Sequence, residues 1–200
     1  MRVTSPPVIA ETRRRADAVR NRVSVLTAAT DVFAEFGLEA RMEDIARRAG
    51  VGVGTVYRHF PTKEALLGEL LAEKWRTLRD TVQDALDNEP DPWQAFSGAL
   101  TRNAEIMAAD AAVRGALMSD QMEVWEHASD AHQELMVATA ELIRRGRDAG
   151  VLRDDLGVDD IPAMMCGVSV AVDARGPAGE ALNWRRHLEL VLDGTRRRPE

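Results

Sequence analysis

Within nine residues the chain gathers Thr55, Tyr57, Arg58, His59 and Lys63, all of them hydrogen-bond donors or cations. Such a set can grip phosphates and reach base edges in a major groove. Tyr57 is the only tyrosine of the chain. Just before these residues runs "GVGVG", Gly50 to Gly54, and Pro61 falls between His59 and Lys63. The chemistry suggested is recognition of a polyanion, and it needs elements that hold the donors outward.

Those elements are legible in the spacing. A short helix from Met42 to Ala49, a turn at Gly50-Val51-Gly52 and a second helix from Val53 to Phe60 have the dimensions of a helix-turn-helix. Ile45, Ala46, Ala49, Val51, Val56 and Phe60 supply its small apolar core. Gly50 suits the left-handed residue that ends a helix, and Gly52 can serve as the N-cap of the next. Thr55, Tyr57, Arg58 and His59 remain outward. Pro61 stops the second helix and Thr62 caps the one that follows, which puts Lys63 at a helix N-terminus, where N–H groups favour a phosphate. The glycines do not form a dinucleotide fingerprint, because the sixth position is Thr55 and no strand precedes it, and the phosphate-loop Gly-Lys-Ser/Thr is absent.

Charge distribution agrees with a nucleic-acid partner at one end. The net charge is −7, yet residues 1–60 carry 10 Arg against 7 acids, and the remaining 140 carry 16 basic against 26 acidic residues. A polyanion is drawn to the first part and repelled by the second. Hydrophobic residues at 45% and charged residues at 30% describe a globular chain. No apolar run nears the ~18 residues that cross a bilayer, and no signal-peptide core opens the chain. Cys166 is the single cysteine, so no internal disulfide forms and a reducing, cytoplasmic setting is expected, nucleoid-associated when bound to DNA.

Elsewhere apolar spacing is helical almost throughout, and the expected class is all-α with about nine helices. Val19, Val23, Leu26, Ala29, Phe33 and Phe36 form one stripe, stopped by Gly37. A long pattern runs from Leu66 to Leu86, a third from Trp93 to about Asp110, a short piece over 111–118, a long one from Met122 to "DAGVL", and two more over about 159–174 and 179–196. The expected organisation is a flexible basic arm at 1–15, a DNA-binding head at 16–62, a helical effector and dimerisation domain at 63–196 and a tail at 197–200. Arg13, Arg14 and Arg15 suit either an arm gripping backbone or minor groove or a solvated tail.

The segment "MEDIARRAGVGVGTVYRHFPTKEALL" resembles the DNA-binding segment of the tetracycline-repressor (TetR) family of bacterial transcription regulators. The matches are Ile45-Ala46, Ala49-Gly50-Val51, Gly54-Thr55, Tyr57, His59-Phe60 and Lys63-Glu64-Ala65-Leu66, within a likeness covering roughly residues 18–70. The resemblance implies an Ω-shaped homodimer that binds a palindromic operator through its first three helices, with a linking fourth helix and a ligand-binding core. By matched position, Thr55, Tyr57, His59 and Lys63 take DNA-contact places. Gly52 stands where Ser is most frequent, and Arg41 where a hydroxyl or Pro commonly opens the second helix; Arg41 can make a stronger phosphate contact. Val53 and Gly54 leave few polar base readers, so Arg58, Thr55 and a thymine-methyl contact from Val53 carry discrimination.

Polar residues in apolar seams mark a candidate effector site: Asn103 on the Trp93 helix, and His132 and Thr139 on the Met122 helix. Trp75, Met107, Met118, Met122 and Trp125 are its expected wall, and the expected effector is small and mainly apolar. The bland alternative is that Asn103 and His132 satisfy each other or a backbone carbonyl in a dry core. The last two helices offer Ile161, Met164, Met165, Gly167, Val168 and Val172, then Trp184, Leu188, Val191 and Leu192, either as a dimer face or as closure of the monomer core.

No cofactor and no enzyme activity are expected. Glu-x-x-His is absent at His127 and His132, and no nucleophile elbow is visible. Glu123 and His127 could form an i, i+4 metal pair, with an ion pair the simpler reading. Two other classes are a helical small-molecule- or metal-binding protein with no DNA role and an acidic protein-binding adaptor; both leave the basic recognition helix unexplained.

Overall fold

The computed structural model describes residues 8–110, 114 and 122–198, with side chains from Arg15 onward. Its described residues form eight α-helices: α1 (Val8–Phe36), α2 (Met42–Ala49), α3 (Val53–His59), α4 (Lys63–Asn88), α5 (Pro92–Ala108), α6 (Met122–Asp148), α7 (Asp160–Asp173) and α8 (Trp184–Gly194). A 3-10 turn, Gly37–Glu39, joins α1 to α2, and two isolated β-bridges lie outside any named strand. The expected short helix over 111–118 falls outside the described residues, Arg114 apart.

The helix stops follow local chemistry. Gly37, Gly50 and Gly150 end α1, α2 and α6 in the left-handed region, at φ +57°, +68° and +69°. The Thr62 and Asp91 side chains accept from the N–H groups of Ala65 (3.0 Å) and Gln94 (2.8 Å), capping α4 and α5. Two boundaries and one buried stripe differ from expectation. Residues 8–15, assigned to a flexible arm, belong to α1. The last helix begins at Trp184, because a turn at Gly176–Gly179 and the Arg175–Ala181 bridge occupy the segment before it. On α1 the buried residues are Val25, Ala28, Ala29, Val32 and Phe33, whereas Val19, Val23 and Phe36 are exposed. The stripe drawn through Val19 holds only near the head, where α2 and α4 cover α1.

α1, α2 and α3 pack as a head around Val25, Phe33, Ile45, Val56 and Phe60. α4 leaves the head and packs extensively along α6, with α5 beside both. At Gly68 the two long helices approach so closely that a Cβ would collide with the His127 side chain and lie 3.0 Å from the Val124 carbonyl. Farther along, the Arg145 guanidinium of α6 donates to the carbonyls of Leu86 (3.2 Å), Glu89 (2.6 Å) and Pro90 (2.8 Å), closing the end of α4. α7 and α8 pack on each other, and α7 also covers α5.

Candidate nucleic-acid interface and core cavity

In the head, Val56 and Phe60 are buried, which turns the other faces of α3 outward. Tyr57 is 44% exposed and Val53 40%. Arg58 is exposed and donates to the Thr55 hydroxyl at 3.2 Å, so the two form one polar unit on the helix surface. His59 is half-buried, with its Nε2 atom enclosed and without a hydrogen-bond partner. Desolvation, followed by the positive fields of Arg58 and Arg22, pushes its pKa below the ordinary value. Arg41 is exposed as the N-cap residue of α2 and makes no side-chain cap hydrogen bond. Lys63 departs from the sequence expectation. Its ammonium is turned inward, donating to the Leu38 carbonyl and lying 5.8 Å from the Phe33 ring centroid, so in the free protein it ties α4 to the loop after α1.

Further ties fix the head on α4. Arg22 pairs with Glu69 at 2.9 Å and stands over the Phe60 ring at 4.9 Å. Arg48 of α2 reaches Glu35 of α1 at 2.7 Å. α3 is therefore held from behind, and the donors it presents are those with nothing behind them.

The core contains a cavity of about 110 Å³ between α4, α5, α6 and α7. Trp75, Asn103, Met107, Trp125, His132 and Thr139 all line it. Met122 does not: it is 71% exposed, because the first turn of α6 points it away from α4. Met118 lies outside the described residues. Sequence reasoning missed Leu78, Leu100, Leu135 and Met136, and missed the α7 wall entirely, formed by Ile161, Pro162, Met165, Cys166 and Ser169. The i, i+4 spacing of Ile161, Met165 and Ser169 was the available signal; the sequence reading gives Ile161 and Met165 to a dimer face or to closure of the monomer core and does not single out Ser169.

The polar atoms of this cavity are in different states. Asn103 accepts from the Thr81 hydroxyl and its amide lies 3.4 Å from the Leu78 carbonyl, so α4 satisfies it, not His132. Thr139 donates to the Leu135 carbonyl at 2.8 Å. His132 sits 5.4 Å from the Trp75 ring centroid and meets Trp125 edge-on at 6.2 Å. Burial pushes its pKa below the ordinary value, which keeps it neutral at pH 7. Trp75 is buried, and its indole N–H has no acceptor. His127 meets the backbone of Glu123 and not its carboxylate: its Nδ1 is 2.7 Å from the Glu123 carbonyl oxygen.

The candidate dimer residues divide. Val168, Leu188 and Leu192, with Ile161, are buried inside the monomer. They close its own core and are unavailable to a partner. Met164, Met165, Val172, Trp184 and Val191 are half-buried, and Gly167 is exposed. The apolar side chains most exposed on these two helices are Val170 (57%) and Leu190 (55%).

Comparison with known proteins agrees with this division into head and core. Residues 25–70 match the model of bacterial regulatory proteins of the tetR family, and residues 91–197 match the C-terminal domain of SbtR-like transcriptional regulators. A TetR transcription regulatory protein from Mycobacterium vanbaalenii is 34% identical, over 91% of this chain and 98% of its own, with a TM-score of 0.63. A TetR regulator from Streptomyces coelicolor is 33% identical, over 89% and 99%, with a TM-score of 0.62. The transcriptional repressor KstR2 of Mycolicibacterium smegmatis is 28% identical over 86% of this chain and 89% of that protein. No described helix is long and apolar enough to cross a membrane. With a head of this geometry and both halves matched, the chain belongs to the TetR family of DNA-binding bacterial transcription regulators.

Proposed function

We propose that this protein is an effector-released repressor that acts as a homodimer on a palindromic operator. The observation that carries the reading is α4, which is anchored in the head by Lys63 and Glu69 and walls the core cavity with Trp75 and Leu78. A ligand that moves those two side chains moves the element that sets the head. Binding to one of two positions of α4 shifts the population away from the DNA-competent state.

On DNA, Tyr57 and His59 bond phosphates. Arg58, released from Thr55, reads a base, Val53 meets a thymine methyl, and Arg41 adds a phosphate contact. One helix the length of α3 offers too few contacts for repressor-grade affinity, so two heads about one helical turn apart are required. The dimer face is the exposed side of α7 and α8 around Gly167, Val170 and Leu190, with Met164, Val172, Trp184 and Val191 at its edges.

The test is retardation of the intergenic DNA upstream of the protein's own gene in a gel at moderate salt, with sedimentation at micromolar concentration alongside. A retarded band and a two-fold mass are expected. A monomer at that concentration overturns the dimer, and failure to retard that DNA even at low salt overturns autoregulation through this operator.

A further inference from the structure

We infer that Gly54 is a specificity-determining residue of α3: its bare backbone floors a notch between Val53 and Thr55 that takes the methyl group of a thymine. The inference rests on the operator-binding reading and names what the first turn of α3 reads. No packing within the chain accounts for this glycine. Gly54 lies on ordinary helical backbone, outside the left-handed region, and a Cβ built on it meets nothing within 4 Å. Glycine is the poorest helix former after proline, and α3 has only seven residues.

Other glycines inside the described helices answer to a neighbour in their own chain. A Cβ at Gly68 or Gly146 would collide with His127 or Leu152. At Gly167 and Gly98 it would meet His187 and Arg102 at 3.4 and 3.7 Å. Gly194 also faces open space, but it is the last residue of α8, and glycine is commonplace at a helix end. At position 54 a side chain would favour the helix and touch nothing of the protein. What excludes it lies outside the chain.

Position identifies the excluding body. At about 100° per residue, Gly54 and Arg58 lie opposite the buried pair Val56 and Phe60, in the middle of the outward face. Val53 and Tyr57 form one flank of that face, Thr55 and His59 the other. Arg58, one turn on, leans on the Thr55 hydroxyl at 3.2 Å and leaves Gly54 uncovered. Gly52 is equally bare, so Val53 stands alone as the rim. Helical N–H groups run along the axis, and what Gly54 presents across the face is C–H. Such a recess suits the C5 methyl of thymine, the one apolar group on the major-groove edges. A hydrogen-bonding edge placed there loses water and gains no partner.

The experiment uses the full-length protein and the DNA upstream of its own gene, amplified with either thymidine or deoxyuridine triphosphate, the second lacking the C5 methyls. Affinity is read by gel retardation and stability by thermal unfolding. One buried methyl is worth about fourfold, so two half-sites should make wild-type affinity roughly fifteenfold higher for the thymine fragment. Gly54→Ala should raise the melting temperature slightly and weaken binding to the thymine fragment about tenfold or more. It should bind the uracil fragment as the wild type does, because its new methyl occupies the space that the thymine methyl vacates. Gly194→Ala, the same change in open space away from the head, should leave both affinities unaltered. Undiminished binding of the thymine fragment by Gly54→Ala, or equal weakening on both fragments, overturns the notch. A lowered melting temperature overturns the open space on which it stands. Wild-type binding that ignores the base change overturns the methyl and leaves the operator reading intact, whereas retardation of neither fragment by the wild type removes both together.

Discussion

The head and the core solve opposite problems with their polar groups. In the head, the donors of α3 are left outward, and the one enclosed acceptor or donor, His59 Nε2, has no partner within the chain. In the core, Asn103 and Thr139 are satisfied internally, Arg114 donates to the Met107 and Ala108 carbonyls (3.0 and 2.6 Å) and pairs with Asp173 at 3.0 and 2.9 Å, and the enclosed Trp75 N–H has no acceptor. The Arg114 hydrogen bonds hold the Asp173 carboxyl below the ordinary carboxylate range. The difference teaches how each region treats its polar groups: the head leaves several at its surface, and the core satisfies Asn103, Thr139 and Arg114 within the chain.

The sharpest break between internal packing and partner-facing surface lies within α7 and α8. Val168→Asp places an unpaired charge in the monomer core and should prevent folding, since an uncompensated buried charge costs several kcal/mol. Val170→Asp with Leu190→Asp should leave the fold intact by circular dichroism and yield a monomer that no longer protects a palindrome. A folded Val168→Asp variant would erase the distinction drawn between these neighbouring positions.

Next in size, Tyr57→Ala combined with His59→Ala should weaken binding to any DNA sequence by about 2–3 kcal/mol through lost phosphate contacts, with thermal stability nearly unchanged. Arg58→Ala should cost about 1–3 kcal/mol on the preferred sequence only. Unchanged DNA affinity in the double variant removes α3 as the contact surface. The complementary change in the core is Gly68→Ala. Its Cβ would press on His127 and the Val124 carbonyl, so overpacking should lower stability by roughly 1–3 kcal/mol in a denaturant titration, while the folded fraction retains its affinity for DNA.

The smallest effect is one of pH. His59 is held neutral in the free protein, and a phosphate favours its charged form, so DNA binding takes up a proton. Affinity should rise as pH falls through about 6.5, and His59→Gln should flatten that dependence. Stability has the opposite sign: both His59 and His132 have lowered pKa values, the unfolded chain accepts their protons first, and stability falls as pH drops below about 6.5. Affinity that falls over the same interval, with folding intact, excludes the phosphate contact.

The sequence by itself determined the head, from the turn at Gly50 to the cap at Thr62, because a helix-turn-helix is fixed by consecutive residues: a left-handed glycine, a proline stop and a hydroxyl cap act within one turn of where they stand. It also marked Asn103, His132 and Thr139 as polar residues in apolar seams. Only the tertiary structure decided which of them is already partnered, because Thr81, the residue that occupies Asn103, comes from another helix. It likewise decided that Ile161, Met165 and Ser169 wall a cavity while Val170 faces outward. Periodicity gives the face of a helix that avoids water, but not whether its own chain or another covers that face. It was equally silent on the inward turn of Lys63, since the Leu38 carbonyl that holds it is 25 residues away and is brought near only when α4 folds back against α1.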